Sequence, residues 1–322
     1  MQQRPFVVAF YFLSIYSVVG NNYKGRVNMN FGELITAMVT PFNEKGEIDY
    51  EATTNLINHL IENGTDSVVV AGTTGESPTL STEEKLSLFE HVVKVVDGRI
   101  PVIAGTGSND TASSIALTKE AEALKVDGIM LVAPYYNRPS QEGLYKHFKA
   151  IAEATSLPVM IYNIPGRTSV NIDVDTIVRL SKIDNVFSVK EASGNLEAMT
   201  EIIARTDDDF VLYSGDDSLT LPVLSIGGKG IVSVAGHIVG KEMKAMIEAF
   251  KAGKVKEASE QHQQLLPIFQ TMFIEPSPSP LKAALNEIGV PVGNVRLPLA
   301  PLSEEGMAQL QKALPFEKWK VK

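Results

Sequence analysis

Two short stretches decide the fold: Pro158-Val159-Met160-Ile161-Tyr162-Asn163-Ile164-Pro165, and then Val186-Phe187-Ser188-Val189-Lys190-Glu191. Each is a near-continuous apolar, β-branched run that stops at polar residues. A strand covered on both faces reads this way, because neither face tolerates polar alternation. Between the runs lies a helical stretch, so the pair predicts two parallel strands joined by a helical crossover. The candidate strand ends, Tyr162 and Lys190, are 28 positions apart.

The same rhythm extends outward in both directions. Candidate strands are Leu34–Pro41, Ser67–Thr73, Pro101–Gly107 and Gly128–Pro134 before the pair, with Phe210–Asp216 and Gly230–Ala235 after it. Helix signals fall between them. Ser81-Thr82-Glu83-Glu84 is a capping-box pattern, and Asp97-Gly98 ends that helix. Asp110 or Thr111 opens the next, and Ser140-Gln141-Glu142 another, while Asp173, Asn195 and Gly240 precede three more. Eight strands alternating with helices predict an α/β fold, a closed (β/α)8 TIM barrel. An open, doubly wound sheet fits less well. Gly105-Thr106-Gly107 lacks the third glycine of a dinucleotide fingerprint, since Asp110 stands there.

Three regions follow. Residues 1–28 form a non-barrel extension, 29–238 the barrel, and 239–322 a C-terminal set of helices expected to pack on it. Those helices are read as Lys241–Lys251, Val255–Phe273 and Ser279–Glu287, with a Pro-rich break from Glu275 to Pro280. Val7–Val19 is apolar behind Arg4, but it is shorter than the roughly 20 residues that a bilayer requires. No small-x-small cleavage site follows it. Because the barrel pattern starts just after Met29, Met29 is expected to be the true first residue.

Composition narrows the function. The net charge is −9 without any basic cluster, which argues against nucleic acid as a partner. There is no cysteine, so disulfides and thiolate chemistry are excluded, and a reducing cytoplasm fits. His59, His91, His147, His237 and His262 are not at metal-ligand spacing; all five read as packing or surface residues, and no metal is implied.

In such barrels the reacting groups sit at the carboxyl ends of the strands. Lys190 ends an apolar run, where desolvation disfavours the ammonium and makes the amine a nucleophile toward carbonyls. A lysine snorkelling to the rim, or paired with Glu191, is the alternative. Tyr162 ends the neighbouring strand and could move a proton, or could be purely structural. Gly72-Thr73-Thr74-Gly75-Glu76-Ser77 offers amides and hydroxyls for a small carboxylate, although an ordinary βα turn looks similar. Arg167, in Pro165-Gly166-Arg167-Thr168, could grip a second carboxylate or be a solvated loop charge. Tyr135-Tyr136-Asn137-Arg138-Pro139 could serve a site, a subunit contact or rim packing.

Together, Gly72–Ser77, Pro134–Pro139, Tyr162-Asn-Ile-Pro-Gly-Arg167 and Lys190-Glu-Ala-Ser-Gly-Asn195 resemble the dihydrodipicolinate synthases, within the N-acetylneuraminate lyase superfamily. The similarity runs from Met29 to about residue 315 and is nearest to members from Gram-positive bacteria. Any one motif is weak; four in order, each at a strand end, are specific. The resemblance implies a lyase of lysine and diaminopimelate biosynthesis that condenses pyruvate with L-aspartate 4-semialdehyde. It implies Lys190 as the Schiff-base residue, with Tyr162, Thr73 and Tyr136 as a proton relay. Thr74 would hold the pyruvate carboxylate, Arg167 the second substrate, and Gly215 and Val232 would line the pocket. No cofactor is needed. Tyr136 would reach into a neighbouring subunit, so a dimer or a dimer of dimers is implied. A sister pyruvate aldolase, for N-acetylneuraminate or 2-keto-3-deoxy sugar acids, is the nearest rival, and a non-catalytic binding barrel the more distant one. Lysine-inhibited relatives carry histidines and a glutamate where this chain has Thr82, Lys85 and Ser113, although Ser77, Asn109 and Tyr135 match. Weak or absent feedback by lysine is therefore expected.

Overall fold

The computed structural model describes residues 30–320; the apolar Val7–Val19 run and Met29 lie outside the described residues. Eight parallel strands close into a barrel in sequence order. They are β1 (Leu34–Ala37), β2 (Ser67–Val70), β3 (Val102–Gly105), β4 (Gly128–Val132), β5 (Val159–Asn163), β6 (Val186–Glu191), β7 (Val211–Ser214) and β8 (Gly230–Ser233). β8 pairs with β1 through Val232 and Ile35, which closes the ring. The register sets Tyr162 beside Lys190, and Lys190 beside Tyr213.

Alternate residues of each strand serve two different cores. Ile35, Val69, Ile103, Met130, Met160 and Val232 fill the barrel interior. Their neighbours, among them Leu34, Val68, Ile129, Ile161 and Val189, face the helices and meet Leu56, Leu88, Phe148 and Met243. This double covering is why the strands read as unbroken apolar runs.

Seven strands are shorter than their apolar runs; only Val186–Glu191 keeps both expected bounds. Their last residues leave the ladder to form the loops at the barrel mouth. Thr73 illustrates this: β2 ends at Val70 because Ala71 turns into the left-handed region, at φ 53°, so Thr73 sits on a turn and not on a strand.

The helix starts follow their capping residues. Ser81 and Glu84 form a reciprocal capping box, Asp110 caps from its carboxylate to Ser113 N–H, and Ser140 and Asn195 do likewise. Gly240, by contrast, precedes no helix. It lies inside one spanning Gly236–Lys251, five residues longer than the expected Lys241 start. A Cβ there would stand 2.4 Å from the Asn63 carbonyl oxygen, so the glycine serves close packing and not termination.

The C-terminal segment supplies helices Val255–Thr271 and Ser279–Glu287, and also Glu304–Ala313, which the sequence reading did not anticipate. Its signal was present: Ser303 caps Gly306 N–H ahead of Glu304 and Glu305. Phe269, Met272 and Leu285 of this segment are buried on the barrel. No described helix is long and apolar enough to cross a membrane.

Candidate active site

Lys190 is only 5% exposed, and its amine lies 4.1 Å above the centroid of the Tyr162 ring. The geometry follows from the register, which puts the two residues at one level on adjacent strands. Burial lowers the Lys190 amine to about 7; a nearby Asp217 charge opposes this, and Arg167 adds to it. Burial pushes the Tyr162 phenol up to about 12, opposed by Arg167 and by a hydrogen bond with the Thr73 hydroxyl. The amine is thus substantially neutral near pH 7 to 8, while the phenol keeps its proton.

The other expected residues fall around this pair. Thr73 and Tyr162 line a cleft of about 360 Å³, together with Gly72, Tyr135, Arg167 and Lys85. Thr74 is buried beside Thr73. Arg167 sits on a one-turn helix, Pro165–Thr168, and also lines a second cleft with Gly215, Ala192, Asp216 and Phe273. Gly215 follows β7 directly. A Cβ added there would lie 3.1 Å from Cε of Lys190 and 2.7 Å from the Ala192 side chain, so only glycine leaves the lysine its room. Val232, from β8, is buried in the interior cluster that also contains Tyr162. Tyr136 is not brought to the lysine within this chain. It is 89% exposed, on a loop where it adopts a left-handed φ of 72°. A bulky aromatic residue so held and so exposed is an unusual expense of stability for a loop.

Several participants escaped the sequence reading. Asp217, on the short turn after β7, is buried and accepts hydrogen bonds from Ser233 Oγ and from the Val234 and Ala235 amides at 2.5, 3.1 and 2.9 Å. Burial pushes its carboxyl upward. Its only sequence signal was a second acid, Asp216-Asp217, just past an apolar run. Glu191 is buried as well. It accepts from Asn163 Nδ2 at 2.9 Å and from Ser193 N–H at 2.7 Å, tying the end of β5 and the loop after β6 to the end of β6. The alternative of a Lys190–Glu191 ion pair is not found: Glu191 is engaged by Asn163 and Ser193 instead. Of the histidines, His237 is wholly buried, accepting from Val39 N–H and donating to the Val234 carbonyl, and it is held down to about 4 by burial. That is a packing role. Among the described residues no group of three or more His, Asp or Glu side chains could hold a metal ion.

A closed (β/α)8 barrel with a desolvated, largely neutral lysine against a tyrosine at its mouth is the framework of the Schiff-base lyases. The chain belongs to the Dihydrodipicolinate synthetase family, whose sequence model matches residues 30–316. The 4-hydroxy-tetrahydrodipicolinate synthase of Oceanobacillus iheyensis is 62% identical over 286 residues, covering 89% of this chain and 97% of that protein. The enzyme of the same name from Bacillus subtilis is 58% identical over 287 residues, 89% of this chain and 99% of its own. A crystal structure of dihydrodipicolinate synthase from Bacillus anthracis superposes with a TM-score of 0.88 at 59% identity, covering 89% of this chain and 98% of that one. Another, from Cyanidioschyzon merolae with lysine bound, gives 0.88 at 47% identity, covering 90% and 99%.

Proposed function

We propose that this protein is a 4-hydroxy-tetrahydrodipicolinate synthase that condenses pyruvate with L-aspartate 4-semialdehyde. The observation that carries the reading is the Lys190 amine, buried at 4.1 Å from the Tyr162 ring and lowered to about 7. Family membership supports the choice of substrates over those of the sister aldolases.

The neutral Lys190 amine attacks the ketone carbon of pyruvate, and water leaves to give an imine. The protonated imine acts as the electron sink when a methyl proton departs, and the enamine results. The enamine carbon attacks the aldehyde of the second substrate. Tyr162, which holds its proton at neutral pH, delivers it to the new alkoxide, and Thr73 hydrogen-bonds the phenol to pass protons onward. The second substrate's own amine then displaces Lys190 and closes the ring. The Thr73–Thr74 turn holds the pyruvate carboxylate, while Gly215 and Val232 shape the pocket beside the lysine. Tyr136, exposed on its strained loop, completes the relay in a second copy of the chain, so the working unit is at least a dimer, in the cytoplasm.

A coupled assay decides between substrates. Pyruvate with aspartate semialdehyde should turn over, and pyruvate with a sugar aldehyde should not; the reverse preference would overturn the reading. Arg167 tests the second-substrate site. Arg167→Met is expected to raise KM for the semialdehyde by about 10- to 100-fold, the worth of a charge-assisted hydrogen bond. KM for pyruvate should change little. Equal changes in both would assign Arg167 elsewhere. Lysine should inhibit weakly or not at all, because Lys85 puts a cation in the cleft lined by Tyr135 and Ser77, where a second ammonium is repelled. Inhibition at sub-millimolar lysine would contradict this.

A further inference from the structure

Four segments converge behind the Thr73–Thr74 turn, away from the pocket. The turn is closed by Glu76 N–H donating to the Thr73 carbonyl at 3.0 Å, and Glu76 itself takes a left-handed φ of 57°. Its side chain points into the protein and is 2% exposed. One carboxylate oxygen lies 2.7 Å from Lys282 Nζ, and the other accepts from Arg296 N–H at 2.8 Å. Lys282 is equally buried; it donates to the Asn294 carbonyl at 2.9 Å and lies 4.2 Å over the Phe42 ring. The Arg296 guanidinium covers the same ring at 4.3 Å and donates to the carbonyls of Gly46 and Thr79 at 2.7 and 2.8 Å. It also donates to Glu84, the acid of the capping box that starts the following helix.

Stability alone gives this arrangement little reason to exist, because a buried ion pair commonly contributes no more than an apolar pair of the same volume. It does have a geometric consequence. A buried carboxylate must stay with its partners, and both the Lys282 ammonium and the Arg296 amide belong to residues 279–296, far along the chain. Whatever fixes Glu76 also fixes the Thr73 carbonyl bonded to its amide. We propose that Glu76, Lys282 and Arg296 are positioning residues, a buried charge clamp by which the C-terminal segment sets the turn presenting Thr73 and Thr74 to the pocket. The proposal rests on the reading of Thr73 as part of the proton relay.

A double-mutant cycle separates the two ideas. Thr73→Val is expected to lower kcat by about 100-fold as a lost relay. Glu76→Gln is expected to lower it by about tenfold through misplacement of the turn. If Glu76 acts through Thr73, the combined variant is no slower than Thr73→Val alone; losses that multiply overturn the clamp. If Thr73→Val leaves kcat unchanged, the relay reading of Thr73 fails. The clamp then stands or falls on KM for pyruvate in Glu76→Gln, which should rise about tenfold through Thr74. The charge-free pair Glu76→Gln with Lys282→Met guards against simple unfolding. It should melt near the wild type yet keep the lowered kcat. Recovery of both together would make the pair purely structural and end the proposal.

Discussion

Lys190→Met, and equally Lys190→Ala, should lower turnover by at least about 10⁴-fold, the scale of losing a covalent nucleophile. Borohydride with pyruvate should add mass irreversibly to the Lys190 peptide of the wild type and to no peptide of either variant. Lys190→Arg should be as inactive, since a guanidinium does not lose its proton at working pH. The pH dependence has a defined sign. Only the neutral amine attacks, and burial lowers it from 10.5 to about 7. kcat/KM for pyruvate should therefore rise with pH through about 7 and then level off, with no further rise toward the ordinary lysine range. The same shift bears on stability. The unfolded chain binds the proton below 10.5 while the folded chain resists it down to about 7, so burying this lysine destabilises the fold increasingly as pH falls across that window. Lys190→Met removes the penalty and should melt no lower than the wild type at pH 7. Loss of activity in a protein that is at least as stable cannot be attributed to misfolding. Retained turnover, or labelling at another lysine, would refute the imine mechanism.

Tyr162→Phe should lower kcat by about 10²- to 10⁴-fold while leaving capture of pyruvate largely intact, because the phenol is asked to move protons and not to form the imine. Borohydride should still label Lys190 in this variant. The ring remains, so the surface beneath the amine at 4.1 Å is preserved. With the phenol pushed up to about 12, its ionisation does not limit the reaction below that pH, and the neutral-pH limb should stay near 7 in the variant. A variant that turns over normally, or that no longer captures pyruvate, would assign Tyr162 a different part.

Much of this was legible in the chain because the barrel repeats one simple demand eight times. Each strand needs apolar residues on both faces, and each crossover helix needs a cap and a stop. The caps Ser81, Asp110, Ser140 and Asn195 appear where the sequence puts them. Lys190 was conspicuous because a charge ends an apolar run. What was illegible was long-range. Gly240 resembles a helix boundary until Asn63 is seen against it. The Ser303 cap was readable but followed no strand, so nothing in the barrel rhythm called for that helix. Tyr136 shows the opposite case: its motif marks it for the site, yet within one chain it stands 89% exposed and away from the lysine.

The sequence by itself determined the eightfold alternation of strands and helices, the position of the lysine, and the family motifs, because these depend on local periodicity and on residues close in the chain. Only the tertiary structure decided that Tyr162 stands beside Lys190, that Asp217 and Arg167 oppose one another in setting the amine's charge, and that Glu76 meets Lys282 and Arg296 over more than 200 positions. The reason is physical: desolvation and ion pairing are set by distance in space, which barrel closure fixes and local sequence pattern does not.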